Sequence, residues 1–180
     1  MTDDALPGLA HGVVRLTSWT PLWQTLFEEE AVRLGRALGV LALGLEHYGS
    51  TSVPGLVAKP ILDILVGAPA PLDPNPFVDA LAPLGYEYAP EAGVPDHLVF
   101  GRGRLRTHLV HVVEHRGPEW ERALRFRDLL RADPALAMSY AELKTVLAQR
   151  HPTDRASYTA GKAAFIQRAL AGSGQGSRRR

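Results

Sequence analysis

Cysteine is absent from this 180-residue chain. That excludes disulfide scaffolds, zinc sites built on thiolates and iron–sulfur clusters. No run of about 18 apolar residues occurs, so no membrane-spanning helix is expected. A charge excess is lacking too. There are 20 Lys and Arg against 19 Asp and Glu, and three of those arginines are Arg178, Arg179 and Arg180. Without them the balance is 17 against 19, so the body is slightly acidic and a nucleic-acid-binding face is not expected. The start, Met1-Thr2-Asp3-Asp4, has neither the basic nor the apolar stretch of a signal peptide. Together with the missing cysteine, this sets a cytoplasmic location as the expectation.

What is present fits one globular domain. The length is that of one domain and is enough to bury about 70% of the surface exposed by the unfolded chain. A hydrophobic share of 46% excludes a disordered chain. Residues 1–12 read as a flexible arm, 13–170 as a single domain, and the AGSGQGSRRR segment 171–180 as a flexible tail.

Within the body, Val13 to Leu16 reads as a short edge strand. Thr20-Pro21 caps and opens a helix carried by Trp23, Leu26, Phe27, Leu34 and Leu38 as far as Gly39. Val40 to Glu46 reads as strand. Ile61 to Val66 is nearly solid hydrophobe, as in a strand covered on both faces. A helix over Phe77 to Leu84 precedes strands over Tyr86 to Tyr88, His97 to Gly101 and Thr107 to Glu114, the last two joined as a hairpin through Gly101 and Gly103. Helices then cover Pro118 to Arg131, the segment after the Asp133-Pro134 cap, and about Thr153 to Leu170. The fold class is therefore α+β, a mixed β-sheet flanked by helices with a helical C-terminal third.

Three segments carry chemistry. Gly49-Ser50-Thr51-Ser52-Val53-Pro54-Gly55 is a small-residue turn between two apolar strands. It is either a phosphate cradle, with hydroxyls and amide donors, or a turn whose hydroxyls only cap a helix. Asp63 breaks an apolar strand. It must be ion-paired, open at the strand's mouth, or bound to a metal. Lys59 lies roughly 13 Å along that strand, nearer the turn than the carboxylate. In Thr107 to Glu114, alternation puts His108 and His111 on opposite faces, so a regular strand cannot offer both to one metal. Arg102, Arg104 and Arg106 form one basic edge if extended, or else a solvated hairpin tip. Lys144, Tyr158 and Lys162, on the last helices, are assigned to surface or packing.

The run Glu46-His47-Tyr48-Gly49-Ser50-Thr51-Ser52-Val53-Pro54-Gly55-Leu56, continued by Ala58-Lys59-Pro60-Ile61-Leu62-Asp63, resembles the signature of the GrpB family. Further matching stretches are Thr107 to Val113, Phe126 to Arg131, Leu143-Lys144, and Tyr158 with Lys162. The resemblance implies a nucleotidyltransferase-like fold. Members are largely without an assigned reaction, and some occur fused to dephospho-CoA kinase. In the nucleotidyltransferase pattern a Gly-Ser turn holds a triphosphate, two acids one residue apart on a following strand bind divalent metal, and a later strand adds a third acid. Here Gly49-Ser50 matches the turn and Asp63 the first acid. Leu65 stands where the second acid belongs, and His111 where the third does.

The resemblance thus implies a nucleotide- or phosphometabolite-handling protein, with a link to CoA metabolism. A nucleotidyl or phosphoryl group would be transferred with one Mg²⁺ or Mn²⁺ on Asp63. Gly49, Ser50, Thr51, Ser52, Lys59 and Arg106 would hold phosphate. Asp63, His111 and His108 would be the catalytic candidates, with Glu46 or Glu114 as auxiliary donors. Two alternatives remain open: a non-catalytic sensor that has lost the second acid, and a hydrolase or transferase using His108 or His111 with a transition metal.

Overall fold

Two stretches of this sequence are apolar on both sides of the chain, and they lie side by side at the centre of the molecule. In the computed structural model, which describes residues 8–90 and 95–172, β2 (Leu62–Ala68) runs parallel to the strand His108–Glu114. Five strands make one mixed sheet: β1 (Gly44–Tyr48), β2, β3 (Tyr86–Tyr88), β4 (Leu98–Arg102) and β5 (His108–Glu114), in the order β1-β2-β5-β4-β3. All neighbours except β2 and β5 are antiparallel.

Strand alternation divides the core in two. On one face Leu62, Ile64, Val66, Phe100, Val110 and Val112 pack under α1 (Leu22–Leu38), through Trp23, Leu34 and Leu38, and under α2 (Pro74–Leu81), through Phe77 and Leu81. On the other, Leu65 and Val113 meet Trp120 of α3 (Pro118–Ala132). A separate cluster joins α3 to α4 (Pro134–Arg150) through Leu130 and Tyr140, and includes Val53 and Leu56 from the turn after β1. Asp133 caps α4, accepting from Ala135 N and Leu136 N, each at 3.0 Å.

Several expectations are adjusted. Val13 to Leu16 forms no strand. Instead Val14 N donates to Pro152 O, and Thr17 bridges Ala58. The strand expected from Val40 starts at Gly44, after a 3₁₀ turn over Gly39–Leu41. The helix expected over Thr153 to Leu170 is broken into α5 (Arg155–Ala160) and α6 (Ala163–Gly172). The break is at Gly161, where a Cβ would stand 2.5 Å from Leu147 Cδ2. The chain passes so close to α4 that it turns a corner there, and Lys162 sits on that corner. Of the arm expected over 1–12, Leu9 is buried and exchanges backbone hydrogen bonds with Arg106. Residues 1–7 and most of the tail expected over 171–180, including Arg178, Arg179 and Arg180, lie outside the described residues. None of the described helices is long and apolar enough to cross a membrane.

Candidate functional site

Gly49 sets the geometry. Its φ of 70° and ψ of −170° fall in a region essentially reserved for glycine. A Cβ there would lie 2.6 Å from Asp63 Oδ2. Strand pairing brings the two together, because Tyr48, the residue before Gly49, is the register partner of Asp63. The turn Ser50–Ser52 is a single 3₁₀ turn closed by Ser52 Oγ, which donates to Gly49 O at 2.6 Å. From α3, Arg131 donates to Ser52 O through Nε (3.0 Å) and Nη2 (2.7 Å). Arg127 Nη1 donates to His47 O (3.0 Å) and to Glu46 Oε2 (2.7 Å). Thr51 is buried against His47, with Nε2 2.9 Å from Oγ1. Burial holds that imidazole down to about 4, with the Asp63 charge opposing and Arg131 and Arg127 reinforcing. The turn is therefore braced from behind by two guanidinium groups, and Ser50 is left facing the other way.

Ser50 faces lysines. Lys144 of α4 is 1% exposed; its Nζ donates to Ser50 Oγ at 2.9 Å and also to Val57 O, 5.0 Å from the Tyr140 ring centre. Half-buried Lys59 and Lys162 both approach the ring of the buried Tyr158, with Nζ at 5.9 and 4.6 Å. Among the described residues, none of the three lysines has a carboxylate oxygen within 4.0 Å. Burial pushes Lys144 down to about 7, the Lys162 and Lys59 charges add to this, and Asp63 opposes it. Burial and the Lys59 charge bring Lys162 down to about 8, again against Asp63. Lys59 is also lowered, by burial first.

Asp63 keeps 27% of its side chain open. Burial pushes its carboxyl up, but contact with His111 and the charges of Lys59 and Lys162 outweigh it, and the net shift is downward. His111 Nε2 stands 3.7 Å from Asp63 Oδ1, and its Nδ1 stands 3.3 Å from His97 Nδ1. His97 Nε2 in turn is 3.5 Å from Glu119 Oε2. A carboxylate, two imidazoles and a second carboxylate thus form a row across this face of the sheet.

The profile described as GrpB protein matches residues 13–171. The chain belongs to the GrpB family. It is 34% identical over 169 residues to the glutamate-rich protein GrpB of Alkalihalophilus pseudofirmus, covering 91% of this chain and 97% of that one. It is 44% identical over 155 residues to a UPF0157 protein of Pseudomonas aeruginosa, covering 83% of this chain and spanning 63% of that relative's length. Among solved structures, the conserved protein GrpB from Enterococcus faecalis superposes with a TM-score of 0.75 at 40% identity, covering 88% of this chain and 96% of that one. A more distant relative, 28% identical over 182 residues, is the dephospho-CoA kinase of Mycolicibacterium paratuberculosis; 86% of this chain matches 44% of it.

Against this GrpB frame, the residues singled out from the sequence separate. Gly49, Ser50, Lys59, Asp63 and His111 lie together, with Thr51 and Ser52 turned to the back of the turn. His108 does not join them. It is on the opposite face, where Arg102 Nη2 lies 2.8 Å from its Nδ1, and burial with the Arg102 and Arg33 charges holds it down to about 3. Arg102 also donates to Glu30 Oε1 at 2.8 Å, which accepts from Tyr86 Oη at 3.0 Å. Arg106 lies over Gly101, 3.8 Å from Glu87 Oε2, two strands from Asp63. The three hairpin arginines therefore form no common edge: Arg102 turns under the sheet, Arg104 is exposed at the tip, and Arg106 folds back on β4. Glu46 is engaged by Arg127, and Glu114 is exposed at the end of β5.

Of the residues assigned from sequence to surface or packing, Lys144 and Tyr158 are buried, and Lys144 reaches Ser50 in the candidate site. Helical spacing alone does not say which face of α4 or α5 meets the turn. Sequence reasoning also missed Arg127 and Arg131 as braces, His97, and the buried Glu30.

The donor set does not fit a paired-metal centre. Leu65, at the second acid position, is 0% exposed in an apolar cluster with Val113 and Trp120. Among the described residues, no group of three or more His, Asp or Glu side chains is arranged to hold a metal ion. Asp63 stands alone among cations.

Proposed function

We propose that this GrpB protein binds a nucleotide or other phosphorylated small molecule, with its phosphate seated between the Gly49–Ser52 turn and the Lys59, Lys144 and Lys162 side chains. The observation that carries this reading is the convergence of three inward-facing lysines beside Ser50 without a carboxylate in contact. Cations withdrawn from water destabilise a fold unless an anion compensates them. A phosphate brings the charge and the acceptor oxygens that three ammonium groups and a hydroxyl can use. A separate groove of ≈ 770 Å³, lined by Trp19, Gln24, Thr51, Ser52, Arg131 and Met138 among others, lies on the back of the same turn, away from the lysines.

Transfer of a nucleotidyl or phosphoryl group is the second reading. It is favoured by Asp63 standing against Gly49, as the first acid of the nucleotidyltransferase pattern does. The dephospho-CoA kinase relative makes dephospho-CoA and its phosphorylated precursors reasonable ligands to include. The test is a thermal-shift screen of nucleoside mono-, di- and triphosphates and CoA precursors. Ligands that bind the native state raise the midpoint by mass action. A shift seen with phosphorylated compounds and not with their nucleosides, and lost in Lys144→Met, supports binding. No shift with any phosphorylated compound overturns it. Release of pyrophosphate or phosphate by the same samples distinguishes transfer from binding alone.

A further inference from the structure

We propose that Lys59, Lys144 and Lys162 stand in place of divalent metal in this site, so that it holds phosphate directly and without a bound cation. The proposal rests on the phosphate-binding reading above and specifies how the charge is met.

Divalent metals of the Mg²⁺ class demand several hard oxygen ligands in near-octahedral array, mostly carboxylate, phosphate and water. This chain supplies one carboxylate. The next inward position on that face of β2 is Leu65, sealed under Trp120, so β2 brings no second, and Glu46 on the neighbouring strand is held by Arg127. The later strand offers the imidazole of His111, a ligand better suited to softer metals. Around the same carboxylate stand Lys59, Lys144 and Lys162, with the Arg155 charge also felt at Lys59 and Lys162. The three lysines outnumber that carboxylate, and the positive charge they bring repels a free divalent ion and attracts an anion. A phosphate monoester carries about 1.5 to 2 negative charges near neutral pH, which meets that excess.

The lysines are also held in place. Tyr158 carries two of them against its ring, Tyr140 and Ser50 fix the third, and Lys162 is set by the corner at Gly161. Ammonium groups so positioned lose little freedom on binding. In this arrangement Asp63 is the counter-ion that offsets lysine–lysine repulsion in the free protein, not a metal ligand.

The test is calorimetric titration of the full chain with inorganic pyrophosphate, once in EDTA and once with Mg²⁺, for the native protein, Lys59→Met, Lys162→Met and Asp63→Asn. The expected result is binding in EDTA and equal or weaker apparent affinity with Mg²⁺, which sequesters the free anion. Each lysine substitution should weaken binding at least tenfold, and Asp63→Asn should bind at least as tightly as the native protein. Circular dichroism establishes that each variant is folded, and the native protein in EDTA needs no substitution at all. Binding that appears only with Mg²⁺, or strengthens more than tenfold with it, overturns the proposal and leaves the phosphate-binding reading standing. So does a tenfold loss in folded Asp63→Asn, or no effect of either lysine substitution. No binding in both arms removes both readings.

Discussion

Replacing Gly49 by alanine tests how the turn and the carboxylate depend on one another. Two effects add. The backbone at φ 70° and ψ −170° is in a region that disfavours any side chain, which costs about 1–3 kcal/mol. The new methyl also arrives 2.6 Å from Asp63 Oδ2 and 3.0 Å from Asp63 Cβ. The carboxylate must swing away from His111 or the turn must lift, losing roughly another 1 kcal/mol of polar contact. Gly55→Ala is the control: its φ is 78°, and a Cβ there would meet nothing within 4 Å. Urea unfolding followed by circular dichroism should therefore give about 1 kcal/mol for Gly55→Ala and about 3 kcal/mol for Gly49→Ala, with little change in slope. Combining Gly49→Ala with Asp63→Ala should recover part of the difference, because it removes the oxygen that the methyl meets. Equal losses for the two glycines, or a double variant that is simply additive, would refute a tight seat for Asp63 against the turn.

The remaining predictions concern charge. His47, His97 and His108 are lowered to about 4, about 4 and about 3, so the unfolded chain binds more protons than the native one below pH ~6.5. Their contribution to stability is complete above that value and is lost as the pH falls toward 4, by about 2 kcal/mol per histidine at pH 5. His108→Gln should flatten that limb of a stability–pH curve, and an unchanged slope would contradict the assignment. Glu30→Gln, which removes the carboxylate charge shared by Arg33, Arg102 and Tyr86, should lower stability by about 3 kcal/mol in urea unfolding; a loss under 0.5 kcal/mol would mean solvent already screens the group. Leu65→Asp, which restores the absent acid on paper, should depress the melting temperature sharply and leave no protection by Mn²⁺, since the carboxylate enters a closed apolar cluster; rescue by Mn²⁺ would show that the position can open.

The central strands were legible because Leu62, Ile64, Leu65 and Val66 leave no polar side to expose, and the chain around Thr107 to Glu114 behaves likewise. The turn and Asp63 were legible because small residues and a lone carboxylate both break an apolar context. Lys144 was not. A lysine amid helical spacing looks the same in sequence whether its stem reaches solvent or crosses to Ser50, and only the docking of α4 decides. Glu30 was hidden in the run Glu28-Glu29-Glu30, which reads as a solvated helix face, although Glu30 alone turns inward to Arg102 and Tyr86. The break at Gly161 was hidden because helical periodicity continues across it; close approach to Leu147 is a tertiary fact.

The bond between Ser50 and Lys144 joins residues 94 positions apart, and that of Ser52 with Arg131 joins residues 79 apart. Such pairings close late in folding, because long loops must be ordered before the contact rewards them. Synthesised from the N-terminus, the chain has its turn and Asp63 in hand long before the helices that supply Arg127, Arg131, Lys144 and Lys162. On the proposed phosphate-binding reading, competence to bind an anion is acquired with the docking of α4 to α6 and is the first property lost when those helices open. On the same reading, a bound phosphate that meets Ser50 and Lys162 would fasten that last-docked layer to the sheet. Hydrogen exchange should slow in α4 to α6 far more than in β2 and β5, whose amides are already protected by the core.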